Sequence, residues 1–199
     1  MTQLTVKPSE KFTLGLTYLN SYNNDFTANG STGSNRANLR LALLNNPNLP
    51  SDLAPFAGSD LPTSSNAYGA EALLKLSDKF VLGGWAGYTN TRILASSGSG
   101  ISRGTLDIWN WAVTLAFPDL GKKGNLAGIV VGMEPYVTNS SVAQIGKDKN
   151  NSYYLEAFYQ CKVSDNITVT PGIIWLTSPD NNSNNNDAVI GALRTTFTF

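Results

Sequence analysis

Seven charged or amide side chains recur inside otherwise apolar, alternating segments: Glu71, Lys75, Asn110, Glu134, Glu156, Gln160 and Arg194. Their chemistry is electrostatic. On one wall of a water-filled passage they would select solutes by charge and hydrogen bonding. Bond-making chemistry has little to work with. The chain has no histidine and one cysteine, Cys161, so imidazole bases, disulfide frameworks and Cys/His zinc sites are excluded. Glu134 and Glu156 form a carboxylate pair on successive segments, but their spacing defines no acid/base geometry. The run Ser96-Ser97-Gly98-Ser99-Gly100 reads as a flexible loop and not as a nucleophile elbow. No catalytic residue, metal or cofactor is expected, and the chain reads as a non-enzyme.

What holds those seven residues must explain an unusual composition. Of 199 residues, 41% are hydrophobic and only 14% charged, against about 25% charged in soluble domains. Mean hydropathy is nevertheless −0.14. The polarity comes from Asn, Ser, Thr and Gly, which suits a protein with one surface in lipid and the other in water. Formal net charge is +0, with 14 basic and 14 acidic residues. A nucleic-acid partner would call for a basic patch, and none is expected.

Eight segments of about ten residues alternate in polarity: 11–19, 66–76, 80–91, 104–117, 126–137, 152–162, 167–177 and 188–199. A tilted transmembrane strand needs about 9–11 residues, whereas soluble strands are nearer ~5–6. Short turns at 77–79, 118–125 and 163–166 alternate with long polar loops at 20–65, 90–103, 138–151 and 178–187. That asymmetry is the rule for outer-membrane barrels. The strand starts Ser9-Glu10-Lys11-Phe12, Ser77-Asp78-Lys79-Phe80 and Ser164-Asp165-Asn166-Ile167 repeat weakly on the short-turn side. The predicted fold is an all-β antiparallel transmembrane barrel, with the seven residues lining its lumen. A soluble β-sandwich binding module is the alternative in another class.

The first long loop carries Arg36 and Arg40 one helical turn apart, predicting a short helix within 36–44 or, equally, an extra strand that would change the strand count. If the loop folds inward, the pair becomes a constriction; the simpler expectation is a solvated external loop. The stretch 180–187, nearly all Asn and Asp, predicts a solvated low-complexity loop. In the third segment Phe80 and Trp85 fall on opposite faces, which leaves its orientation open.

In the last segment Leu193, Phe197 and Phe199 share a lipid-suited face, while Arg194 lies opposite. An aromatic at the end of such a strand resembles the signal read by the outer-membrane assembly machinery. The other reading is an ordinary final strand ending by chance in Phe.

Three runs resemble the cyanobacterial branch of the OprB-type carbohydrate-selective porins, including members labelled iron-uptake porins. They are 80–89 (FVLGGWAGYT), 109–121 (WNWAVTLAFPDLG), and 170–177 (TPGIIWLT) with 191–199. The resemblance implies a homotrimeric, sixteen-stranded barrel in the outer membrane of a Gram-negative-type bacterium, passing small hydrophilic solutes by diffusion. It also implies an S-layer-homology domain and a signal peptide, which are absent from residues 1–199. One partial barrel domain is therefore expected, the C-terminal half of a porin. Eight strands alone would leave open edges that lipid does not tolerate, unless they close as a small barrel with a filled interior. A non-conducting structural or adhesion barrel shares this fold and differs only in function.

Overall fold

Alternating segments that bury one face must pair with neighbours, and short turns make sequence neighbours the nearest partners. The computed structural model describes residues 1–24, 32–38, 49, 51–57, 61–96 and 100–199. Its strands are β1 (Thr2–Ser9), β2 (Phe12–Asn23), β3 (Thr63–Ser77), β4 (Phe80–Ile93), β5 (Gly104–Pro118), β6 (Leu126–Ser140), β7 (Tyr153–Lys162), β8 (Ile167–Leu176) and β9 (Ala188–Phe197). They form one antiparallel sheet in the order β1 to β9, each pairing with its sequence neighbours. No helix among the described residues is long and apolar enough to cross a membrane. The fold is all-β, a section of barrel wall.

The count corrects the expected eight strands to nine. The extra strand is β1, whose Leu4 and Val6 alternate with Gln3, Thr5 and Lys7. Pro8 obscures that alternation in the sequence. Proline is tolerated there because β1 is an edge strand whose pairing shifts register between Val6 and Ser9. The described strands do not close on themselves, so the small closed barrel is not what forms: β1 and β9 remain the two edges.

The three shortest turns share one device. Backbone N–H groups of Lys11, Lys79 and Asn166 donate to the hydroxyls of Ser9, Ser77 and Ser164, each two residues earlier, at 3.2–3.3 Å. Serine closes a turn locally in this way. Lys75 pairs with Asp78 at 2.7 Å and Lys162 with Asp165 at 2.8 Å across two of these turns.

Cross-strand partners project from the same side of a sheet, so the register assigns every face. One face carries Leu4, Leu16, Ala70, Ala86, Val113, Val131, Leu155, Ile173 and Leu193. Aromatics border it at both rims. Toward the long loops, Tyr18, Tyr68, Tyr88 and Trp109 stand side by side on four consecutive strands, with ring centroids 5.0–6.2 Å apart. Toward the short turns, Phe80 meets Phe117 at 5.4 Å. An apolar band between aromatic girdles is the outer surface of a membrane barrel.

The buried cluster lies on the other face, at the long-loop rim. Ile93, Leu106, Ile108 and Val137 of β4 to β6 are covered by Ala37, Leu53 and Leu61 of the β2–β3 connection. Ile101, Val142 and Ile145 of the neighbouring loops complete it. Loops folded across the polar face thus make the only core among the described residues.

Candidate functional site

The register collects the polar wall residue by residue. Glu71 pairs with Trp85, Trp85 with Ala112, Ala112 with Gly132, Gly132 with Tyr154 and Tyr154 with Leu176. Asn110, Glu134 and Glu156 lie two positions from members of that row and share its face; Lys75 and Gln160 lie four and six positions from it, likewise on that face. Arg194 opposes Thr170, on the same face again. All seven expected wall residues therefore lie on one side of the sheet.

Their surroundings differ. Gln3 donates to Glu71 Oε1 at 2.8 Å, and the Glu71 carboxylate lies over Gly15, where a Cβ would come within 2.3 Å of that oxygen. Glycine at position 15 makes room for the side chain. Lys75 is drawn to the rim by Asp78. The charge of Asp78, in the turn, is favoured by that hydrogen bond first, so its carboxyl lies below the usual range.

Among the described residues of the first loop, Ser34 to Asn38 and Leu53 are buried. Asn35–Asn38 forms a single helical turn, α1, and Arg36 is only 5% exposed. Asn38 turns its side chain back onto the carbonyls of Thr32 and Ser34. Arg40 and residues 39–44 lie outside the described residues. Arg36 forms an ion pair with Asp52, to which Lys149 adds at 3.7 Å. Burial alone would raise the Asp52 carboxyl, but the bond and charge of Arg36, with Lys149, bring it below its ordinary value.

Ser34 ties this loop to the wall. Its N–H donates to the Pro135 carbonyl at 2.9 Å, its hydroxyl donates to Asp148 Oδ2 at 2.6 Å, and the Ala37 N–H donates back to that hydroxyl. The Val137 N–H of β6 donates to the same Asp148 oxygen at 2.7 Å. Burial outweighs these bonds and pushes Asp148 up to about 6. Gly33 makes the approach possible: at φ +88° its missing Cβ would lie 2.2 Å from the Pro135 carbonyl oxygen.

The Asn-rich loop is likewise more ordered than its composition suggests. Asn181 is buried and accepts the Ser152 N–H at 2.6 Å, and Asn185 donates to the Pro179 carbonyl. Ser178, Asp180 and Asn181 all have positive φ, which Asn and Asp tolerate better than most residues. Arg36, Asp52, Asp148, Lys149 and Asn181 meet around a polar cleft between these loops.

Sequence reading missed Trp85, Ser34, Asp52, Asp148 and Asn181. Trp85 was within reach, because it alternates with Leu82, Gly84 and Ala86 of the apolar face. The others meet through loops whose folding has no periodic signature.

At the end of β9, Leu193 and Phe197 are exposed on the apolar face. The regular strand stops at Phe197 and not at Phe199, although Thr198 still pairs with Asn166 through both its N–H and its carbonyl. Phe199 is fully exposed.

Residues 1–199 match the family described as "Carbohydrate-selective porin, OprB family". The chain belongs to the OprB family. An uncharacterized protein of Nostoc sp. is 37% identical over 99% of this chain and 31% of its own length. An uncharacterized protein of Synechocystis sp. is 32% identical over 74% of this chain and 29% of its own length. The chain thus spans about a third of the length of these cyanobacterial relatives. No solved structure matches it. OprB proteins are outer-membrane porins, a family of channels and not of enzymes.

Proposed function

We propose that these nine strands form part of the wall of a passive outer-membrane pore for small hydrophilic solutes, carbohydrates or inorganic ions. The observation that carries this reading is the division of the sheet: one face apolar between two aromatic rims, the other polar and crossed by a folded loop. The first faces lipid and the second the lumen. Glu71, Lys75, Asn110, Glu134, Glu156, Gln160 and Arg194 line the passage, and the β2–β3 loop carrying Arg36 narrows its mouth. A charge on the lipid face costs up to ~2–4 kcal/mol at the midplane for Lys or Arg, whereas lumen positions tune selectivity. The whole porin acts as a homotrimer, the lipid-facing end of β9 with Leu193, Phe197 and Phe199 serving its assembly. Planar-bilayer recording of the full-length parent tests this. Stepwise conductance is expected; a correctly inserted protein giving no channel events at any voltage would sink the proposal.

A further inference from the structure

Trp85 stands on the polar face, yet 43% of it is exposed. On its own strand the residues two positions either side on that face are Gly83 and Gly87, so no neighbour along β4 covers the indole. The space above both glycines is taken from the next strand. A Cβ at position 83 would lie 2.5 Å from Thr114 Oγ1, and one at position 87 would lie 2.7 Å from Asn110 Nδ2. The two glycines thus bring a hydroxyl and an amide alongside the ring, with Ala112 directly across. On the other flank stands Glu71, the cross-strand partner of Trp85. One side of the indole opens onto a hollow of roughly 450 Å³ that also reaches Tyr154 and Glu156. That volume lies within the ~300–1,000 Å³ of small-molecule sites.

An exposed apolar plate with hydrogen-bonding groups at its edge suits a solute of the same build. A pyranose has one: a flat patch of C–H bonds, partly positive, ringed by hydroxyls. Those C–H bonds meet the negative face of the indole, while the hydroxyls find a donor and an acceptor in Asn110 and an acceptor in Glu156, which line the same hollow. An open-chain polyol has the hydroxyls without the flat face. A small inorganic ion has no flat apolar face to lay against the indole. We propose that Trp85 is the specificity-determining residue of the passage, a stacking platform that retains ring-form sugars over open-chain polyols and small ions. This rests on the pore reading above.

The test uses the full-length parent in a planar bilayer, with glucose and its open-chain hexitol, sorbitol, as probes. Glucose is expected to block the ion current saturably, and sorbitol only weakly. Trp85→Ala should raise the half-blocking glucose concentration about five- to tenfold, measured against the variant's own unblocked current. Trp85→Phe, which keeps a ring, should fall between. Equal block by glucose and sorbitol, or glucose block indifferent to Trp85→Ala, would overturn the proposal. So would tetramethylammonium binding more tightly than glucose, since the platform would then be a cation site. Calorimetric titration of glucose into the detergent-solubilised parent separates the two readings. A protein that binds glucose through Trp85 but never conducts loses the pore and keeps the platform. Glucose heats unchanged by Trp85→Ala remove the platform whether or not the channel conducts.

Discussion

Ser34 and Asp148 are 114 residues apart in the chain, and their side chains meet at 2.6 Å. Asp148 also accepts the Val137 N–H, so one carboxyl oxygen joins the first loop, the β6–β7 loop and β6. The apolar residues beneath, Ala37 and Leu53 against Ile108 and Val137, are buried by that junction. The loop is held by one polar latch above one small core.

The latch has a steric condition at Gly33. Its φ of +88° falls in the left-handed region, and a Cβ there would strike backbone that cannot swing aside. Gly33→Ala is expected to cost at least ~1–2 kcal/mol from the left-handed conformation alone. The loop should release from β6. Limited proteolysis of the detergent-solubilised parent should show faster cleavage within 25–60, and single-channel conductance should rise. Unchanged cleavage would count against the latch.

The latch also depends on pH, through Asp148. Its carboxyl is pushed up to about 6 when buried, from an ordinary value of 3.8. Between those values the docked loop binds a proton that the released loop does not. Docking therefore strengthens as pH falls through about 6, gains nothing more below about 4, and is weakest above 6, where the buried carboxylate is charged. The full swing is at most ~3 kcal/mol, at 1.36 kcal/mol for each unit of pKa. Protease protection of the loop should rise from pH 7 to pH 5. Asp148→Asn, which keeps an acceptor for Ser34 and Val137, should flatten that dependence; a profile identical to the parent's would assign it elsewhere.

Adjacent valines test the two faces. Val131 is 41% exposed on the apolar face, and Val130 faces the other way, paired with Glu156. Val131→Lys should destabilise the protein in lipid by ~2–4 kcal/mol, and Val130→Lys by ~0–1. Urea unfolding in vesicles, read by heat-dependent gel shift, measures both. Equal effects would mean that neither face meets lipid.

At the aromatic rim, the Tyr88 hydroxyl donates to Asp107 at 2.7 Å, alongside donations from Asn90 and Asn139. Tyr88→Phe should cost about 1 kcal/mol, less than a lone bond to a carboxylate, because the two amides remain. The same unfolding assay reads it, and a loss above ~3 kcal/mol would show that the hydroxyl organises the rim.

The sheet was legible where a period of two repeats undisturbed. Seven expected wall residues share a face because alternation alone decides the side from which a side chain projects. β1 was hidden by Pro8, which interrupts a pattern only eight residues long. Trp85 was left open because it and Phe80, both large aromatics, fall on opposite faces of one segment; its partners Glu71 and Ala112 put it on the polar side. The latch could not be read at all. Contacts such as Ser34 with Asp148 depend on how a long connection folds back, and no local rule encodes a meeting across more than a hundred residues.

The repeated serine turn gives three of the hairpins a local closure at their short ends. Ser9, Ser77 and Ser164 close their turns with their own hydroxyls. A wall of such units can lengthen by duplicating a hairpin, because the copy arrives with its closure built in. Growth in pairs of strands widens the circumference while the opposite rim stays free to diversify its loops. The turn is thus a seam along which this architecture can be extended without re-tailoring what is already there.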